Sequence, residues 1–87
     1  MISLALPLVK TRINRLASDT SLDGYLTSMI TGVMQQMAKI GITLDAASTD
    51  DLFLLVDWAV WQYGNRDKAG GVPEWLRLRR RERWLNK

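Results

Sequence analysis

Apolar residues recur every three or four positions between residues 22 and 40, and this spacing constrains the fold more than any other feature. At 100° per residue they fall on one side of a helix, whereas Thr27, Thr31 and Gln35 fall on the other. The apolar side consists of Leu22, Leu26, Met29, Ile30, Val33, Met37 and Ile40. Ser21 fits an N-cap, and Gly41 fits the residue just past a helix end. The pattern predicts a long amphipathic helix.

A shorter segment with the same spacing precedes it. Pro7 suits the first turn of a helix, where its missing N–H costs nothing. The apolar side of this helix consists of Val9, Ile13, Leu16 and Ala17. The polar segment 18–20 then separates the first predicted helix from the second.

Two further helices follow. Ser48, with Asp51 three residues later, resembles a capping box and predicts a third helix that extends to about Lys68. After the flexible connector Gly70–Gly71, Pro73 restarts a fourth helix. No segment alternates as a strand does. The sequence therefore predicts an all-α fold, a small bundle of about four helices with short loops.

The third predicted helix is apolar on both of its sides. The expected core side consists of Leu52, Leu55, Val56, Ala59 and Tyr63. Leu54, Trp58 and Trp61 project to the opposite side. A place in the core is the simpler interpretation for any single tryptophan, but a helix apolar on both sides must be covered on both. Because tryptophan is enriched at interfaces, we predict that these three residues form a subunit interface.

Composition excludes most of the usual supports and chemistries of a small domain. The chain has 87 residues, with no cysteine and no histidine. Disulfide bridges, Cys/His zinc sites and histidine-dependent catalysis are therefore excluded. Since a core of this size gives only marginal stability, partners are the remaining support.

The aspartates do not form a catalytic or metal-binding pattern. Asp50 and Asp51 are explained by their place in the first turn of the third helix, where the helix dipole favours carboxylates. Asp57 lies away from both, and the sequence has no Asp-x-Asp-x-Asp calcium loop to which Asp45 could belong. We expect no enzyme, no catalytic residue, no cofactor and no metal site.

Positive charge is concentrated after residue 65. Residues 1–65 contain 4 basic and 6 acidic residues, net −2, and residues 66–87 contain 8 basic and 3 acidic residues, net +5, which together give the chain's net +3. We therefore divide the chain into a three-helix core over 1–71 and a basic helix over 72–87. The basic helix is expected to be either part of the same domain or a docking arm.

The basic helix combines arginine with tryptophan. Its candidate contact residues are Trp75, Arg77, Arg79, Arg80, Arg81, Arg83 and Trp84. Arginine pairs in bidentate fashion with phosphate or carboxylate, which predicts contact with nucleic acid or an acidic protein surface. A solvated helix end whose cations complement the helix dipole is an alternative. Because the arginines scatter around the helix axis, readout of base edges is disfavoured.

Nothing in the sequence predicts a membrane or secreted protein. The apolar segment Leu52–Tyr63 has 12 residues and contains Asp57, whereas about 20 residues are needed to span a bilayer. Residues 1–6 lack a basic n-region, and Pro7 interrupts the apolar run. We expect a soluble intracellular protein without a membrane partner.

The order of these segments resembles the small α-helical head–tail connector proteins, or head-completion adaptors, of tailed bacteriophages. Leu8–Ile13 is similar to the first helix of that family. Ser21–Leu26, with the closing Ile40–Ile42, is similar to the second helix. Asp51–Asp67, which includes Tyr63-Gly64-Asn65-Arg66, is similar to the third. The likeness covers most of the chain and lies in order and spacing rather than in a single motif.

The resemblance implies a structural virion protein at the neck, assembled in the host cytoplasm. Such adaptors form a homo-oligomeric ring under the portal, with twelve copies expected from the portal's symmetry. The ring extends the DNA channel and provides a docking surface for a tail or neck protein. On this basis we expect Leu54, Trp58 and Trp61 to pack subunits together. The set from Trp75 to Trp84 is expected to contact the portal protein or, non-specifically, the packaged DNA.

Two other functions remain open at this point. A small helical nucleic-acid-binding protein would use the basic helix for tight DNA binding in solution, with a strong salt dependence. A plain helical scaffold or regulator is the third possibility.

Overall fold

In the computed structural model, which describes residues 1–16, 18–65 and 71–86, the chain forms four helices. They are α1 (Ile2–Arg12), α2 (Asp23–Lys39), α3 (Thr49–Gly64) and α4 (Glu74–Leu85). The described residues contain no strand. The prediction of a small all-α bundle of about four helices is confirmed. The predicted helical residues Ala17 and 66–68, and Gly70 of the predicted connector, lie outside the described residues.

The first three helices pack against one another, and α4 packs against α3. Apolar side chains from all four helices form one core. Its buried members are Ala5, Val9, Leu26, Met29, Ile30, Val33, Met37, Ile42, Leu54, Leu55, Val56, Trp58, Ala59 and Leu76. The predicted apolar side of α2 accounts for five of them. Ile40, which was predicted to join this side, is instead 44% exposed.

The limits of α1 differ from the prediction at both ends. Pro7 lies inside the helix rather than in its first turn. Because Ser3 is exposed, water can reach the carbonyl that the proline leaves without a helical donor. The helix ends before Leu16 because Asn14 adopts a left-handed conformation (φ 63°). The Asn14 and Arg15 amides donate to the carbonyls of Thr11 and Lys10, at 3.2 and 2.8 Å, which forms a Schellman motif.

The predicted end of α2 is confirmed, whereas its predicted N-cap is wrong. Gly41 has φ 92°, and the Gly41 and Ile42 amides donate to the carbonyls of Ala38 and Met37 at 3.0 and 2.9 Å. This is a second Schellman motif. At the other end, Ser21 does not cap the helix. Its amide and hydroxyl both donate to Asp19 Oδ1, at 3.0 and 2.7 Å, and α2 begins two residues later.

Ser48 caps α3 as predicted. Its hydroxyl accepts a hydrogen bond from the Asp51 amide at 3.2 Å. The helix ends at Gly64, short of the predicted Lys68. Asn65 is the C-cap: its backbone amide donates to the carbonyls of Trp61 and Gln62 at 3.1 and 3.3 Å, and its side-chain amide donates to the Trp61 carbonyl at 2.8 Å.

A buried ion pair joins α1 to α2. Lys10 Nζ lies 2.9 Å from Asp23 Oδ1, and the lysine side chain is only 5% exposed. Asp23 is also the first residue of α2, where the helix dipole favours its negative charge. The pair therefore fixes the start of α2 against the end of α1.

Candidate functional site

The arginine-rich helix α4 lies antiparallel to α3 and is tied to it at two levels. Arg83 Nε donates to Asp51 Oδ1 at 2.7 Å, and Arg79 Nη1 donates to Asp57 Oδ2. Arg83 also reaches the loop before α3, where its Nη2 donates to the Thr43 carbonyl at 2.8 Å. These contacts hold α4 in one position and one rotation about its axis.

Asp51 is the buried acceptor at this junction. Its side chain is 4% exposed, and its Oδ2 accepts from the Asp45 amide at 2.8 Å. Burial raises the pKa of Asp51, but the hydrogen bonds from Arg83 and the Asp45 amide outweigh that effect and leave the pKa below its ordinary value. Asp51 therefore stays charged and links the loop, α3 and α4.

Asp57 links three helices in the same way. Besides Arg79 on α4, it accepts a hydrogen bond from Arg12 Nη1 on α1 at 2.6 Å. Burial raises the pKa of Asp57, and the two arginines lower it by more, so the pKa lies below its ordinary value. One carboxylate thus holds α1 and α4 on the same helix, α3.

Arg80 contacts an aromatic ring instead of a carboxylate. Its guanidinium carbon lies 4.9 Å from the centre of the Trp58 ring, which is within cation–π distance. Trp58 in turn meets Trp61 edge to face, with ring centres 6.4 Å apart. Arg80 therefore covers an aromatic pair on α3.

The candidate residues of the basic helix divide into two groups. Arg79 and Arg83 are engaged with Asp57 and Asp51, so their side chains serve the fold. Arg77 and Arg81 are exposed, as are Trp75 and Trp84, at 50% and 41%. Arg80 is half-buried over Trp58. Among these candidate residues, only the second group and part of the Arg80 side chain lie on the surface of α4.

Two of the three residues assigned to a subunit interface lie in the core of the chain and not on its surface. Leu54 and Trp58 are buried, at 3% and 4% exposure, and both belong to the chain's own core. Trp61 is half-buried and packs against that core. The second apolar side of α3 is covered by α4 of the same chain, which removes the reason to assign it to another subunit.

The outer side of α4 borders a groove of about 610 Å³. We call it the α4 groove. It is lined by Ile40, Glu74, Arg77, Leu78, Arg80, Arg81 and Trp84. Leu78 and Ile40 are both half exposed, at 52% and 44%. The groove therefore combines an apolar floor with an arginine rim.

Two parts of this arrangement were missed by sequence reasoning. Asp51 was assigned to helix capping and Asp57 was given no role, although both hold arginines of α4. A signal was present: in antiparallel helices the numbers of facing residues add to a nearly constant total, as those of Asp51 with Arg83 and Asp57 with Arg79 do. Ile40 was missed because its spacing assigned it to the core side of α2.

Within the described residues, no cluster of acidic side chains could hold a metal ion, and no helix has the length and apolar character needed to cross a bilayer. A second groove, along α3 and α4, is lined by four carboxylates (Asp45, Asp50, Asp51 and Glu82) and by Arg79 and Arg83, both already ion-paired, so its lining offers no further cation to a phosphate or an acidic partner. The α4 groove is accordingly the candidate site. Comparison with protein-family models, curated proteins and solved structures gives no match.

Proposed function

We propose that this protein is a head–tail connector of a tailed bacteriophage, a non-enzymatic structural protein of the virion neck. In this role, copies form a ring of twelve under the portal, extend the DNA channel and give a tail or neck protein a place to dock. Two features support the proposal: the order of helices along the sequence resembles that family, and the fold is a small helical bundle.

The observation that carries the proposal is the fixed, cationic and apolar outer surface of α4. Arg77 and Arg81 are exposed on it beside Trp75, Leu78 and Trp84. The ion pairs on the opposite side of α4 hold this surface in place before any partner arrives. A preformed surface loses less conformational entropy on binding, which favours assembly.

Of the residues predicted for the contact between neighbouring copies, only the half-buried Trp61 keeps exposed surface. Leu54 and Trp58 are buried, so exposed apolar side chains are the better candidates. Leu4, Tyr25 and Phe53 are each about half exposed, at 50%, 47% and 46%. They lie on three different helices and offer apolar contact area that the chain itself leaves uncovered.

Native mass spectrometry of the full-length protein, alone and mixed with candidate portal rings, tests the proposal. We expect a ring, or loading of a fixed number of copies on the portal. Arg81→Glu should reduce portal loading at least tenfold, whereas Arg15→Glu, a charge reversal at an exposed position outside α4, should leave it unchanged. A monomer that ignores every portal would overturn the proposal.

Nucleic-acid binding is the second candidate, favoured by the exposure of Trp75 and Trp84 beside the arginines. The ion pairs limit this function, because Arg79 and Arg83 already hold carboxylates. If Arg77, Arg80 and Arg81 each contact one phosphate, log K should fall with log salt at a slope of about −2.7. Tight binding of duplex DNA at physiological salt, with a steeper slope and no portal loading, would favour this function over the first.

A further inference from the structure

The α4 groove follows one stripe of a helix surface. Glu74, Arg77, Arg81 and Trp84 succeed one another at intervals of three or four residues, and Leu78 lies four residues after Glu74 and three before Arg81, so the five lie along one side of α4. At 1.5 Å per residue this stripe is about 15 Å long. Ile40, just after the end of α2, forms another part of the lining. The groove is therefore elongated and parallels a helix.

The rim of the groove carries excess positive charge. Among the described residues, the carboxylates of α3 that face α4 are taken by Arg79 and Arg83, on the side of the helix that packs inward. The groove keeps Arg77, Arg80 and Arg81, with Glu74 as its one acidic member. A ligand that fits must bring negative charge beside its apolar side chains.

We propose that the α4 groove binds an amphipathic helix of another protein, whose apolar stripe is flanked by acidic residues. Apolar side chains at intervals of three and four would pack on Ile40, Leu78 and Trp84, as in other helix-in-groove complexes. Carboxylates beside them would pair with Arg77 and Arg81 in bidentate geometry.

A second copy of this chain does not supply such a helix. No acidic residue occurs in α1, and α2 has only Asp23, which is paired with Lys10. In α3, Asp51 and Asp57 are already bound to arginine, which leaves Asp50 as its one exposed acidic residue, and in α4 the two glutamates stand among five arginines. A single strand of nucleic acid fits less well, because two of the three apolar residues of the floor are aliphatic and offer bases no ring to stack on.

This inference deepens the proposed function, since it gives the chemistry of the element that α4 would meet on its docking partner, but its test does not need that partner. The probe is a synthetic peptide of about 15 residues, roughly four helical turns. It carries leucine at intervals of three and four, flanked by glutamate. One matched peptide replaces every glutamate by lysine, and another replaces every leucine by serine.

We expect the glutamate–leucine peptide to bind the full-length protein in a fluorescence anisotropy titration and both matched peptides to bind at least about tenfold more weakly. Leu78→Ser should weaken binding about tenfold, as expected for a central interface residue. Leu85→Ser, at an equally exposed leucine of α4 outside the groove, should change it less than twofold. Arg81→Gln should weaken binding several-fold, most strongly at low salt.

Three results would overturn the inference: no binding of the glutamate–leucine peptide, equal losses for Leu78→Ser and Leu85→Ser, or displacement of the peptide by a single-stranded oligonucleotide at equal concentration. The proposed function is judged separately. Peptide binding without portal loading would contradict the connector role and leave the groove assignment intact. Portal loading that Leu78→Ser does not affect would contradict the groove assignment and leave the connector role intact.

Discussion

Asp51 shows how much one carboxylate can organise in a chain without disulfides or metals. Its amide is held by the Ser48 hydroxyl, and its two oxygens accept from the Asp45 amide and from Arg83. Burying a charge is costly unless it is paired and hydrogen-bonded. Both parts of that condition are met here, so the side chain is stabilising only as long as its partners remain.

We expect Asp51→Asn to lower the free energy of unfolding by roughly 2–3 kcal/mol, because Arg83 then loses its charged partner and one strong hydrogen bond. Asp50→Asn is the matched control. Asp50 lies in the same first turn of α3 but is exposed, so its loss should cost only about 0.5 kcal/mol. Urea unfolding measures both. Equal effects of the two variants would show that Asp51 acts only through the helix dipole.

The same residues predict how stability depends on pH. The pKa of both Asp51 and Asp57 lies below the ordinary value of 3.8 in the folded protein, so the folded state binds these protons less tightly than the unfolded chain. These two carboxylates contribute fully to stability at pH values above the ordinary pKa of 3.8. Their contribution is lost as the pH falls through their pKa in the folded protein. Urea titrations between about pH 5 and 2 should therefore show a falling free energy of unfolding. The fall should be shallower for Asp51→Asn and unchanged for Asp50→Asn.

Among the helices, α1 and α2 end in the same way with different residues. Both use a Schellman motif, with Asn14 in one and Gly41 in the other at the left-handed position. A side chain with a Cβ is strained there, and asparagine tolerates the strain better than most residues. Glycine in the middle of a helix is destabilising instead, because it raises the conformational entropy of the unfolded chain where no left-handed conformation requires it.

Two glycine-to-alanine substitutions, one inside α2 and one just past its end, should therefore change the free energy of unfolding in opposite directions. Gly41→Ala should lower the free energy of unfolding by about 1–2 kcal/mol, because alanine must adopt φ 92°. Gly32→Ala should raise it by about 0.5–1 kcal/mol, because a Cβ at this helical position meets nothing within 4 Å. Urea unfolding of both variants is the measurement. Stabilisation by Gly41→Ala would contradict the Schellman end of α2.

The four helices could be predicted because each depends on local spacing, but what covers each apolar side could not. Ser48 and Gly41 act on their own neighbours, so sequence reasoning placed both correctly. Leu54 and Trp58 also showed an apolar side, which the structure covers with α4 rather than with a second chain. Spacing shows that a side must be covered, and only the tertiary arrangement shows by what.

The arginines of α4 illustrate the same limit in the candidate site. Sequence reasoning treated Arg79 and Arg83 like Arg77 and Arg81, because all four fall in one basic run. Their roles differ because the antiparallel packing of α3 and α4 brings two of them to carboxylates. Trp75 and Trp84 are exposed, and their contact with a partner stays a prediction. Ile40 lines the groove because α2 ends before it and the chain turns at Gly41.

In the whole molecule, α4 is attached differently from the other helices. The first three pack against one another, whereas α4 packs against α3 alone among the helices. Its one buried residue is Leu76, and ion pairs, the Arg83–Thr43 hydrogen bond and the Arg80–Trp58 contact also attach it. The helix thus covers apolar surface of the core on one side and presents a charged groove on the other.

Removal of α4 tests this arrangement. A chain that ends after Gly71 leaves Leu54 and Trp58 uncovered and deprives Asp51 of Arg83 and Asp57 of Arg79. We therefore expect it to unfold at lower urea concentration than the full chain and to self-associate at micromolar concentration in sedimentation velocity. A synthetic peptide of residues 72–87 should restore the sedimentation behaviour of the full chain, because it supplies the missing cover. The same peptide with Leu76→Ser, Arg79→Gln and Arg83→Gln should not. If the shortened chain sediments like the full chain and is as stable, α4 is dispensable to the core and its ion pairs contribute nothing measurable.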